Sequence, residues 1–185
     1  MKGQFTRIGD KVIDRRRLYS VVDEVLKLRA DGCSQLEVAR RLNTERSFIS
    51  RLEALGEVHR GDRLAVVGFP LAKKEELLAV AKEEGVEYTL ILNDEERWRF
   101  VDEKSGNELL NEVTQIIAEL RTYDAVIFLG SDMRVRIAEA MLGDKVLCVE
   151  LGSSPIKGDR ILEPEHLRRL IQKVKHADSS ADNNL

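Results

Sequence analysis

Long apolar runs, cysteines and repeats are all scarce in this chain, and each scarcity removes a class of protein. No stretch approaches the roughly 20 apolar residues of a membrane-spanning helix, so no membrane partner is expected. The opening MKGQFTRIGDKVIDRRR lacks the apolar core of a secretory signal. Two cysteines, Cys33 and Cys148, cannot build a disulfide framework and form no CxxC pair, which fits a reducing, cytoplasmic setting. No internal repeat or low-complexity tract is visible. Aromatic residues make up only 5%, but the hydrophobic fraction is 43%, enough for a core and too high for a disordered chain. A length of 185 residues allows one ordinary domain or two small ones.

The formal net charge of −3 hides an asymmetry. Residues 1–62 carry 13 basic and 10 acidic side chains, whereas residues 63–185 carry 17 and 23. Opposite signs on the two parts point to two modules with different partners.

The apolar period changes at about the same place. Leu18, Val21, Val22, Val25, Leu26 and Leu28 recur at helical spacing, with Asp14 as N-cap and Asp31-Gly32 as the stop. Ser34 with Glu37 three residues on reads as a capping box. It opens a short helix whose buried side is Leu36, Val38, Ala39 and Leu42. A third helix runs from Arg46 to Leu55, with Phe48, Ile49, Leu52 and Leu55 apolar and Gly56 closing it. These helices predict an all-α, trihelical domain over residues 1–58.

Beyond Gly56 apolar, β-branched runs at 64–69, 88–94, 125–132 and 145–152 alternate with helical patterns at 73–85, 106–123, 133–142 and 164–174. Such strands imply a parallel sheet covered on both faces. Residues 62–176 are therefore expected to form a three-layer α/β domain with a mainly parallel, about four-stranded sheet. The segment 95–105, EERWRFVDEKS, leaves an edge strand, a flap and a helical turn open, and residues 177–185 read as a disordered tail.

Most information lies in GCSQLEVARRLNTERSFISRLE, residues 32–53. Two short helices are separated by a tight Asn43-Thr44-Glu45 turn, with small Ala39 where the helices must approach. Gln35, Val38-Ala39, Leu42-Asn43, Ser47 and Ile49-Ser50-Arg51, followed by Leu52-Glu53, resemble the helix-turn-helix of the lambda-repressor-like (XRE) family of bacterial DNA-binding domains. The resemblance covers about 22 residues. Two positions depart from the family pattern: Asn43 stands where Gly is usual, and Glu45 where Ser or Thr would cap the second helix. Asn tolerates the left-handed conformation, so the turn survives. The family also continues into two more helices, whereas here a strand follows, so dimer contacts must come from elsewhere.

Packing of Ile49 and Leu52 against Val38, Ala39 and Leu42 would turn Arg46, Ser47, Ser50 and Arg51 outward. An exposed helix of that kind fits a major groove about 12 Å wide, and an arginine can bond a guanine edge in two places. The resemblance places Gln35 on a backbone phosphate; Arg41 and Arg60, with Arg40, Arg15–Arg17 and His59, are further phosphate candidates. The bland alternative is a three-helix bundle whose serines and arginines are merely solvated.

In open parallel sheets, ligands bind beyond the carboxyl ends of the strands where strand order reverses. Gly68, Pro70, Asn93, Asp94, Gly130, Ser131, Asp132 and Ser153 fall there and are the candidate ligand-binding residues, with helix-start N–H groups available to an anion. Small polar residues are also ordinary where a strand turns into a helix. No GxGxxG, no GxxxxGK[ST] and no acidic cluster after the first strand is present. His59, His166 and His176 are scattered, so neither a metal site nor a cofactor is indicated. Ser131-Asp132 has no histidine partner for nucleophilic catalysis, and Cys148 reads as a buried small hydrophobe.

The expectation is a cytoplasmic bacterial transcriptional regulator rather than an enzyme. Its helix-turn-helix would bind double-stranded DNA as a homodimer, since two half-sites about 34 Å apart double the contacts. A flavodoxin-like (Rossmann-like) C-terminal domain would dimerise, sense a small-molecule effector, or do both. A small α/β enzyme acting on a phosphorylated metabolite, with an accessory helical domain, is the alternative.

Overall fold

In the computed structural model, which describes residues 4–58 and 61–175, internal contacts divide the chain into two units, Met1–Glu57 and Val58–Leu185. The sequence-based candidates Arg60 and His59, together with His176 and the tail at 177–185, lie outside the described residues.

The first unit is not all-α. It begins with an antiparallel hairpin, β1 (Phe5–Ile8) and β2 (Lys11–Asp14), in register Phe5↔Asp14 to Ile8↔Lys11. Gly9 takes a φ of +57° at the turn, which a residue without Cβ adopts readily. Phe5, Ile8 and Val12 are exposed, so the hairpin lacks the half-buried alternation by which strands are recognised in sequence. That is why the helical reading missed it.

Three helices follow: α1 (Arg15–Ala30), α2 (Gln35–Arg41) and α3 (Arg46–Gly56). Asp14 caps α1 by accepting from the Arg16 N–H at 2.9 Å. Ser34 and Glu37 form the expected capping box at the start of α2. Helix α2 ends in a Schellman arrangement: the Thr44 N–H donates to the Ala39 carbonyl and the Asn43 N–H to the Arg40 carbonyl. Asn43 itself has a φ of +50°, the left-handed conformation expected of the residue replacing Gly.

Val25, Val38, Ala39 and Ile49 form the buried core of this unit, flanked by Leu28, Cys33, Leu42 and Leu52. Leu36, expected on the buried side of α2, is exposed, as is Phe48. Leu18, Val21 and Leu26 of α1 are exposed too. A core of four buried side chains cannot shield every apolar position that helical spacing marks.

The second unit is an α/β domain with a four-stranded parallel sheet in the order β4-β3-β5-β6. Its strands are β3 (Leu64–Gly68), β4 (Tyr88–Ile91), β5 (Ala125–Ser131) and β6 (Val146–Gly152). Every residue of β3 and β5 is buried, as central strands of a covered parallel sheet require. Helices α4 (Lys74–Glu83) and α8 (Pro164–Lys175) contribute to one core layer with Leu64, Val66, Ile127 and Leu129. Helices α6 (Gly106–Leu120) and α7 (Asp132–Leu142) contribute to the other with Ala65, Val67, Val126 and Phe128.

The unreadable segment is helical. Helix α5 (Asp94–Asp102) is opened by a capping box between Asn93 and Glu96. Cys148 is half-buried rather than buried, its thiol 3.8 Å from the Val135 carbonyl. Among the described residues no helix is long and apolar enough to cross a membrane.

Candidate functional site

Helices α2 and α3 put the helix-turn-helix candidates on the surface of the first unit. Ile49 is fully buried, while Arg46, Ser47, Ser50 and Arg51 are all exposed, as is Arg41 at the end of α2. The cause is helical periodicity: once Ile49 faces Val38 and Ala39, the residues one or two positions away, Ser47, Ser50 and Arg51, must point elsewhere. Glu45 precedes α3 without a capping side-chain bond and instead accepts from the Ser47 hydroxyl at 3.0 Å.

Gln35 stands apart from the others because its amide is engaged on both sides. Its nitrogen donates to Glu53 at 2.6 Å, and its oxygen accepts from the Arg46 guanidinium at 3.2 Å. Glu53 in turn accepts from Arg29 of α1, and Arg29 also donates to the Cys33 carbonyl. The Arg29 guanidinium, and secondly the Gln35 amide, hold the Glu53 carboxyl below the usual carboxylate range. This network ties α1, α2 and α3 together beneath the outward face. Sequence reasoning missed Arg29 and named Glu53 only within the motif, without this role; their one signal is opposite charge on helices that had to be neighbours.

In the second unit all strand ends point the same way, so the strand-end candidates gather along one edge of the sheet. Most of their polar groups are occupied by the chain itself. The Asp94 N–H donates to Asp159 at 2.6 Å, and the Asp94 carboxylate pairs with Arg97. Asn93 is held within its capping box. One Asp132 carboxylate oxygen accepts from its neighbour Met133 at 2.8 Å and from Ser154 at 2.7 Å. The loop after β6 crosses this edge, pairing Arg160 with Pro70 and Ala72 through main-chain bonds. Gly68 and Gly130 are buried and Ser153 is exposed. Ser131 is buried, and its hydroxyl has no hydrogen-bond partner among the described residues.

The open space of this unit lies elsewhere. A cavity of about 360 Å³ is bounded by the β3, β4 and β5 face of the sheet and by α5, α6 and α7. None of the eight strand-end candidates lines it. Its walls are apolar except for Arg97 and Arg134. Arg134 is an exposed residue, but its guanidinium lies over the Phe69 ring at 5.1 Å, where partial desolvation, then the nearby Arg97 charge, lower its pKa from the ordinary arginine value. Neither composition nor periodicity signals this cavity, because its walls look like ordinary core residues.

The site geometry stands without relatives to guide it: no family model matches the chain, and no curated protein or solved structure is significantly similar to it.

Proposed function

We propose that the chain is a sequence-specific DNA-binding transcriptional regulator, with α3 as its recognition helix. The observation that carries this reading is the outward row Arg46, Ser47, Ser50 and Arg51 on a helix anchored by the fully buried Ile49. Four supports accompany it. The turn before α3 passes through a left-handed Asn43. Helices α2 and α3 share one core. Arg40 and Arg41 are exposed beside the row, available to phosphates. The Gln35–Glu53–Arg29 network holds α3 at a set angle to α2, which an element entering a groove needs.

In this reading the protein acts in the bacterial cytoplasm as a homodimer on a two-fold operator. The α/β unit dimerises, senses an effector, or does both. An enzyme acting on a phosphorylated metabolite draws less support, because the Asp94 carboxylate is paired with Arg97 and the Asp132 carboxylate accepts from the Met133 and Ser154 N–H groups.

Selection of bound fragments from random duplex DNA, followed by mobility shifts at rising salt, tests the reading. A palindromic consensus is expected, with affinity falling steeply as salt screens phosphate contacts. Ser50→Ala with Arg51→Ala should lose sequence preference, at about 1–3 kcal/mol for a bidentate arginine. Their melting temperature should stay close to that of the parent, since both side chains are exposed. Absence of enrichment, or a large drop in melting temperature in place of lost preference, overturns the proposal.

A further inference from the structure

The cavity of the second unit has a chemistry of its own. Its volume of about 360 Å³ falls within the roughly 300–1,000 Å³ of small-molecule sites, which are mostly apolar with a few placed polar groups. Helix α6 closes it incompletely: of its apolar residues only Leu120 is fully buried, and Val113 on the cavity wall is partly exposed. Across the opening, Ile137 and Met141 of α7 also line the space while remaining about half exposed. The walls therefore offer apolar surface that the fold itself leaves in contact with water.

The charge at this space is unbalanced. Arg97 and Arg134 both line it, and no carboxylate among the described residues does. Asp94 compensates Arg97, whose side chain is only 12% exposed. Arg134, an exposed residue, has no ion pair or hydrogen bond among the described residues; its guanidinium lies over the face of Phe69. Two nearby cations with one carboxylate between them leave a net positive site against an apolar wall. Gly130 helps to shape it, since a Cβ there would stand 2.7 Å from the Phe128 ring that forms part of the lining.

We propose that this cavity binds a small amphipathic carboxylate, its apolar body between α6, α7 and the sheet and its carboxylate on Arg134 with Arg97 alongside. The apolar walls favour the body through removal of surface from water, and the unpaired guanidinium selects an anionic head over a neutral one. A medium-chain alkyl carboxylate is the simplest compound with both properties. The site lies wholly within the second unit, so it stands or falls independently of DNA binding.

Decanoate is the probe, with 1-decanol as its neutral counterpart, both titrated into the full chain by calorimetry. Trp98, the chain's single tryptophan, supplies a second signal, because the Arg97 guanidinium lies 5.0 Å from its ring centre. Saturable one-to-one binding of decanoate is expected, at least tenfold tighter than decanol. Arg134→Met should weaken decanoate at least tenfold without lowering the melting temperature, and Val113→Trp should abolish binding by filling the space. Equal affinity for acid and alcohol, unchanged binding by Arg134→Met, or no saturable binding overturns the proposal. So does a shift in oligomeric state caused by Val113→Trp without loss of decanoate binding, which would make this face a contact between copies. None of these readouts uses DNA, so failure here is distinct from failure of the regulator reading.

Discussion

The Gln35 amide at the start of α2 donates to the Glu53 carboxylate of α3 at 2.6 Å, and the same carboxylate accepts from Arg29 of α1. One acidic group thereby joins three helices whose shared core contains only four buried side chains. With so little apolar burial, a polar tie of this kind carries more of the unit's stability than it would in a large domain. Glu53→Ala should cost about 1–2 kcal/mol, since it leaves a partly buried guanidinium and an amide without their acceptor. The pH dependence has a definite sign. The folded pKa of Glu53 lies below its ordinary 4.5, so its contribution is complete above that value and fades as the pH falls through the lower folded pKa. Urea denaturation of parent and Glu53→Gln should differ most near neutrality and converge in acid. A gap that is constant with pH would show that the carboxylate charge is not what matters.

Asn43 sets the turn between α2 and α3 at a φ of +50°. A β-branched residue is disfavoured there by contact between its side chain and the backbone. Asn43→Val should therefore destabilise the first unit by about 1–2 kcal/mol, whereas Asn43→Gly should be nearly neutral. Circular dichroism melts of the two variants check the difference. Equal melting temperatures would remove the turn from the account of how α3 is presented.

Ser131 is 3% exposed and its hydroxyl has no partner among the described residues. Desolvating a hydroxyl without compensation is unfavourable, so Ser131→Ala should keep or raise stability, by up to about 1 kcal/mol. A clear loss of stability in chemical denaturation would mean that the hydroxyl is satisfied in solution.

Cys148 is half-buried on β6, and burial, reinforced by the Glu139 charge, pushes its thiol pKa up to about 11. The thiolate is the reactive form, so the native thiol should resist iodoacetamide at pH 8 and react once urea unfolds the chain. Mass spectrometry of the labelled peptide reads the outcome; rapid native labelling would contradict it.

Much of the molecule was legible along the chain because its signals are local. Ser34 and Glu37 sit three residues apart and need only each other to form a capping box. The uninterrupted apolar runs of β3 and β5 already imply burial on both faces. The outward placement of Ser50 and Arg51 followed from Ile49 being the apolar residue beside them. Helix α5 was harder, because it buries no side chain fully and so prints no apolar stripe. The strand-end positions of Asp94 and Asp132 were readable along the chain, but their hydrogen-bond partners were not. Asp159 and Ser154, far along the chain from Asp94 and Asp132, turn out to be their partners.

Apart from the exposed β1–β2 hairpin and α5, the amino-acid order by itself determined the kinds of elements, their approximate limits and the face that α3 presents, since each depends on residues within one or two turns of one another. Folding in three dimensions decided the rest: the strand order β4-β3-β5-β6, the loop across the strand ends, and a cavity with two arginines and no acid among the described residues of its walls. Those features come from groups far apart in the chain, and no local pattern of charge or hydrophobicity records which distant surfaces will meet or fail to fill the space between them.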